Sequence, residues 1–249
     1  MPVPDSTDQT ELEPRMAAAH LEVVGRMPYS SNVTLLVDLH DPGSDDCGDE
    51  ISEPFGRAIY KPHRGERPLW DFPDGLYLRE VAAYRLGRAL NWDLVPPTVI
   101  CDGPFGPGSL QWFVDADFEQ HYFTMLGEPQ LHDQLRRLCA FDLVANSTDR
   151  KGGHILIDGH QRLWAIDNGL CLHTEVKLRT VIWDFAGEPL PGDLTEDLEQ
   201  LAAQPLPDDL TQLLNPFERD ALKARARALV SEGRFPHDPT GRRVPWPLV

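Results

Sequence analysis

Polar and apolar residues alternate in short runs through most of the first 115 positions, whereas later segments repeat their apolar residues every three or four positions. A period of two marks a strand with one buried face, and a period near 3.6 marks a helix. Strands are therefore predicted at residues 21–28, 33–39, 55–62, 95–101 and 110–114, with YSSN at 29–32 as a turn. In the third strand Arg57, Ile59 and Lys61 share one face, and Ala58 and Tyr60 share the other. Residues 76–90 read as a helix opened by Pro73-Asp74-Gly75, with Glu80, Ala83 and Gly87 on one row. Further helices are predicted at 131–146, 175–184, 194–204, 208–214 and 216–232, the last with Pro216 in its first turn. Residues 1–18, polar and proline-bearing, read as a disordered tail, and 40–54 as a mobile acidic loop. The fold class that follows is α+β, bilobal: a strand-rich N-lobe at 19–115, a helical C-lobe at 116–249, and a cleft between them.

One stretch interrupts the helical half. Residues 155–157 and 163–166 are short apolar strands, and Asp158-Gly159 between them is a hairpin signal. A tight hairpin brings the loop before it, 149–154, beside the residues after it, 167–169. Two distant acids, Asp149 and Asp167, then converge. Phosphoryl transfer needs such a pair, one carboxylate to orient the attacking hydroxyl and one to hold magnesium.

Composition narrows the choice of partner. The 249 residues include 40 acidic and 23 basic side chains, a formal charge of -17, which speaks against a nucleic-acid partner or stable membrane association. Any phosphate site is then a local exception in a negative field. Cys47, Cys101, Cys139 and Cys171 are widely spaced without a CxxC pair, as expected of a reduced, cytoplasmic protein. The first residues lack the apolar run of a signal peptide, and no apolar stretch is long enough to span a bilayer. Walker A and GxSxG sequences are absent, and the Cys and His spacings match no standard zinc site.

Each candidate has an ordinary explanation by itself. Lys61 ends a strand and Glu80 lies on a helix, where solvated charges are common. Asp149 follows Asn146-Ser147-Thr148, a helix-ending sequence, and Asp167-Asn168-Gly169 is also a turn signal. The combination is more specific. YKP with Lys61, REVAAYRLG with Glu80, the Asp149-Arg150 loop and the Asp167-Asn168-Gly169 triplet resemble the atypical kinases of the phosphatidylinositol 3/4-kinase-like superfamily, and within it an actinobacterial group, over about residues 20–235.

The resemblance implies a protein-kinase-like fold, ATP and Mg2+ as cofactors, and a hydroxyl as acceptor, which the acidic charge of the chain assigns to a protein or small polar metabolite and not to a lipid. It casts Asp149 as the catalytic-loop aspartate, Asp167 as the metal ligand, Lys61 as the phosphate-binding lysine and Glu80 as its ion-pair partner. Phe113, Val114 and Asp115 stand at the adenine hinge, and Tyr29, Ser30, Ser31 and Asn32 where kinases fold a phosphate loop. Three departures qualify it. His154 occupies the metal position usually held by asparagine, and imidazole suits hard magnesium less well than oxygen does. The first turn lacks GxGxxG, and no long activation segment follows Asp167. A nucleotide-binding pseudokinase scaffold and an AMP-transferring enzyme are the alternative readings.

Overall fold

Five antiparallel strands, β1 (His20–Arg26), β2 (Leu35–His40), β3 (Gly56–Pro62), β4 (Thr98–Gly103) and β5 (Gly106–Trp112), form one sheet in the order β1-β2-β3-β5-β4. The computed structural model describes residues 3–4, 6–28, 30, 32–43 and 53–249. The chain divides into two units, Met1–Val81 with Pro96–Asp115, and Ala82–Val95 with Ala116–Val249. The sheet belongs to the first unit, and the central position of β3 buries Ala58 and Tyr60 completely.

Strands β4 and β5 run further into the Gly- and Pro-rich stretch than their apolar residues predict. Gly103 pairs with Gly106 across a tight turn, at which Gly106 takes φ +93°. A Cβ at Gly108 would lie 2.5 Å from the Lys61 carbonyl oxygen, and one at Gly103 would lie 2.8 Å from the Tyr60 ring. These two glycines let β3 and its tyrosine approach closely, a role that sequence pattern cannot separate from turn formation.

Residues 6–18, within the stretch expected to be a disordered tail, form a helix, α1 (Ser6–Ala18). Met16 at its end is wholly buried, α1 packs on β4, and the Arg15 guanidinium makes two 2.7 Å bonds to Asp41. Helix propensity across this polar segment, with Pro14 inside it, is poor. Docking on the sheet supplies what propensity does not.

Helix α2 (Leu76–Ala89) begins under a carboxylate that is not its sequence neighbour. Glu66 accepts from the N–H groups of Leu76 at 2.9 Å and Tyr77 at 2.7 Å, as suits the positive end of a helix. The second unit contains α3 (Tyr122–Met125), α4 (His132–Ala145), α5 (Gly192–Ala203), α6 (Asp208–Thr211) and α7 (Pro216–Glu232), with the hairpin β6 (Ile155–Ile157) and β7 (Leu163–Ala165). Leu135, Leu138 and Phe141 of α4 share one core with Leu194, Leu198 and Leu201 of α5 and Leu222, Ala226 and Leu229 of α7. Helix α7 starts in a reciprocal cap, in which Asn215 Oδ1 accepts from Glu218 N at 3.0 Å and Glu218 Oε2 from Asn215 N at 2.9 Å.

The hairpin turn occupies residues 158–162, the gap left between the two predicted strands, and Asp158 organises it. Its carboxylate accepts from His160 N, Arg162 N and Trp164 Nε1 at 2.8, 3.0 and 2.9 Å. One further expectation needs correction: residues 175–184 form no helix, since their backbone groups pair with a neighbouring loop. No described helix is long and apolar enough to cross a membrane.

If α1 is part of the folded unit, Met16→Ala should lower stability by about 2–5 kcal/mol, the usual range for emptying a buried methionine site. Urea unfolding should show a lower midpoint for Met16→Ala, and none for the exposed Glu11→Ala.

Candidate active site

In the first unit Lys61 leaves the sheet on the face opposite Tyr60, and its Nζ donates to Glu80 Oε1. Glu80 is 3% exposed, so this carboxylate is held in a dry setting beside a charged partner. The pairing joins the end of β3 to the first part of α2, which Glu66 caps. A salt bridge of this kind gives a lysine one preferred direction along an otherwise flexible stem.

The second unit builds its loop from the end of α4. Asn146 takes the left-handed conformation, φ 57°, and its carboxamide donates to the carbonyls of His173 at 3.1 Å and Glu175 at 2.7 Å while accepting from Lys177 N at 2.9 Å. Arg179 N donates to Ser147 O, Arg150 N to Arg179 O, and Val181 N to Arg150 O. These bonds explain why 175–184 is extended: its backbone groups serve loop 146–150 and are not available for a helix of its own.

Arg150 follows Asp149 and is almost completely buried. Its Nε donates to Asp142 Oδ1 at 3.0 Å, Nη1 to Ile166 O at 2.6 Å and Nη2 to Asn168 Oδ1 at 2.6 Å. Asp142 also accepts from Thr180 Oγ1 at 2.8 Å. The guanidinium thus grips the residues on both sides of Asp167, which adopts φ 56° and keeps a side chain 51% exposed. A non-glycine residue holds that conformation only where its surroundings impose it.

His154 lies between the backbone of Asp149 and the carboxylate of Asp167. Its Nδ1 is 3.0 Å from the Asp149 carbonyl, which can only accept, and its Nε2 is 3.4 Å from Asp167 Oδ2. The Asp149 carboxylate lies 3.2 Å from Lys151 Nζ. Burial lowers the His154 pKa from 6.5, opposed by the charges of Asp167 and Asp149 and assisted by that of Arg150. Asp149, His154 and Asp167 are thus brought together within one unit.

The remaining candidates are placed as follows. Tyr29 and Ser31 lie outside the described residues; Ser30 is half-buried, and Asn32 Oδ1 accepts from Arg67 N at 2.9 Å. Phe113 N donates to Arg57 O at 3.0 Å, so its N–H is already engaged. Val114 is buried, whereas Phe113 and Asp115 line a cavity of about 310 Å3 together with Asp38, Arg57 and Trp112. His63, Glu66 and Asp74 also place ligand atoms within 4.8 Å of one another. Glu66 there caps α2, and His63 Nε2 pairs with Asp74 at 3.1 Å.

Sequence reasoning missed Asp142, Thr180 and Arg225, and named Asn168 only as part of a triplet. Arg225 of α7 donates to Val144 O at 2.7 Å and His173 O at 3.0 Å, a cation at the negative end of α4, and burial lowers its pKa to about 10. One signal was available: Asp142 sits between Phe141 and Leu143 in an apolar helix, and a buried acid demands a buried cation. The end of the chain was also missed, with Gly152 N donating to Leu248 O at 2.6 Å.

Comparison with known proteins places this geometry in context. Protein Rv2133c of Mycobacterium tuberculosis is 35% identical over 269 aligned positions, which cover 93% of each chain. No family model matches. Among solved structures, the Golgi casein kinase with Mn/ADP bound aligns over 92% of this chain and 76% of its own, with TM-score 0.56 and 12% identity. Hydra Fam20 with sugar aligns over 93% and 89%, with TM-score 0.53 and 12% identity. At such identity the likeness establishes an α+β, kinase-like fold.

Two outcomes follow from the buried loop. Asp142→Ala leaves Arg150 charged and buried without its carboxylate, and should cost about 3–5 kcal/mol of stability in chemical unfolding. By NMR, the His154 ring should titrate below 6.5. The unfolded chain then binds this proton first on acidification, so the stability contributed by His154 is complete above 6.5 and is lost as pH falls through the folded value.

Proposed function

We propose that this chain, which belongs to the same family as protein Rv2133c of Mycobacterium tuberculosis, is an atypical kinase that transfers the γ-phosphoryl group of ATP to a hydroxyl. The observation that carries this reading is that His154 joins the backbone of Asp149 to the carboxylate of Asp167, with Arg150 fastening the loops that bear them.

In the proposed reaction Asp149 accepts the proton of the acceptor hydroxyl as its oxygen bonds to the γ-phosphorus. The bond from that phosphorus to the bridging oxygen breaks, and ADP departs. Lys61, directed by Glu80, presents its ammonium group to the nucleotide phosphates. The base occupies the cavity beside Phe113 and Asp115, where an aromatic wall suits a planar ring. A divalent ion held by Asp167 would neutralise charge on the phosphate oxygens. Asp167 fits that role because its carboxylate is half exposed while the residues on either side of it are anchored.

A protein or small polar metabolite is the acceptor favoured by charge. With 40 acidic against 23 basic side chains, the chain is repelled by anionic bilayers, which disfavours a lipid headgroup.

Magnesium and ATP labelled at the γ or α phosphate, incubated with the wild-type protein and with Asp149→Ala and Asp167→Ala, test the reading. Release or transfer of γ label, reduced at least about a hundredfold in both variants, is expected. Movement of α label instead would replace phosphoryl transfer with AMP transfer, and binding without turnover would leave a nucleotide-binding scaffold.

A further inference from the structure

We infer that His154 coordinates, through Nε2, the divalent ion at Asp167, and that it turns the preference of the site from magnesium toward first-row transition ions. The inference rests on the phosphotransferase reading, and deepens it by naming a second ligand and its consequence.

The argument begins with the other ring nitrogen. Nδ1 faces the Asp149 carbonyl at 3.0 Å, and a carbonyl has no proton to give, so Nδ1 carries the hydrogen. In the neutral ring Nε2 then presents a lone pair toward Asp167 Oδ2 at 3.4 Å. That separation exceeds the span of an N–H···O bond, about 2.7–3.2 Å. It matches two donors sharing one ion, since ligands each about 2.1 Å from a metal lie about 3–3.4 Å apart. The bond from Nδ1 to a backbone carbonyl is also the usual device that orients a metal-binding imidazole. Magnesium takes oxygen ligands and sheds water reluctantly, whereas later divalent ions accept imidazole nitrogen readily. A carboxylate joined by an imidazole therefore favours manganese or cobalt over magnesium.

The test loads the full chain, isotope-labelled at histidine nitrogen, with Mn2+ and ADP and reads nuclear coupling by pulsed electron paramagnetic resonance. A histidine nitrogen coupling is expected in the wild type and should vanish in His154→Asn and His154→Gln. In parallel titrations, His154→Asn should weaken Mn2+ and Co2+ by on the order of tenfold and Mg2+ by less. If Mn2+ binding is lost in Asp167→Asn but the wild type shows no histidine coupling, His154 is only an electrostatic neighbour; the inference then falls while the phosphotransferase reading stands. If Mn2+ binding is indifferent to Asp167→Asn, both fall.

Discussion

A single buried cation organises the loops of the second unit. Arg150 has almost no contact with solvent, and its ionic partner Asp142 has none. Removing two charges from water carries a penalty of several kcal/mol per ion, which is offset only when geometry is good and the remaining donors are satisfied. Here the donors reach a carboxylate on α4 and, on the stretch that flanks Asp167, a backbone carbonyl and a carboxamide. Had either of those stretches shifted, the guanidinium would be left with an unmet donor in a dry interior. The interaction therefore contributes less to net stability than to the uniqueness of one loop arrangement.

That arrangement explains how Asp167 stays exposed in a left-handed conformation. Ile166 and Asn168 are both held by Arg150, so the residue between them has little freedom to relax. Its carboxylate points away from the anchored backbone and toward His154. The imidazole is in turn set by the carbonyl of Asp149, which directly precedes the anchored arginine. Geometry passes from a buried ion pair to an exposed carboxylate through short covalent links, an economical way to place a polar group accurately at a surface.

Electrostatics gives the same picture on a larger scale. In a chain with a formal charge of -17, the cations near the candidate residues are matched to particular acids: Lys61 to Glu80, Lys151 to Asp149, Arg150 to Asp142. Under the phosphotransferase reading a divalent ion would add positive charge that this acidic chain otherwise offers sparingly to a nucleotide.

Local patterning determined much of this protein. Alternation over 55–62 placed β3 and the face carrying Lys61, the three- and four-residue spacing placed α4, α5 and α7, and two apolar runs around Asp158 brought Asp149 and Asp167 into one neighbourhood. These features are legible because each depends on neighbours within a few residues. Other features are not local. Met16 secures α1 by docking on a strand about eighty residues away, Glu66 caps a helix that begins ten residues later, and residues 175–184 give up helix to satisfy loop 146–150. Most of all, Arg150 is surface-like in sequence and buried in the structure, because its partners at 142, 166 and 168 meet only once the chain has folded back on itself. Propensity acts within a turn or a strand, whereas a buried charge is tolerated only by partners that tertiary packing supplies.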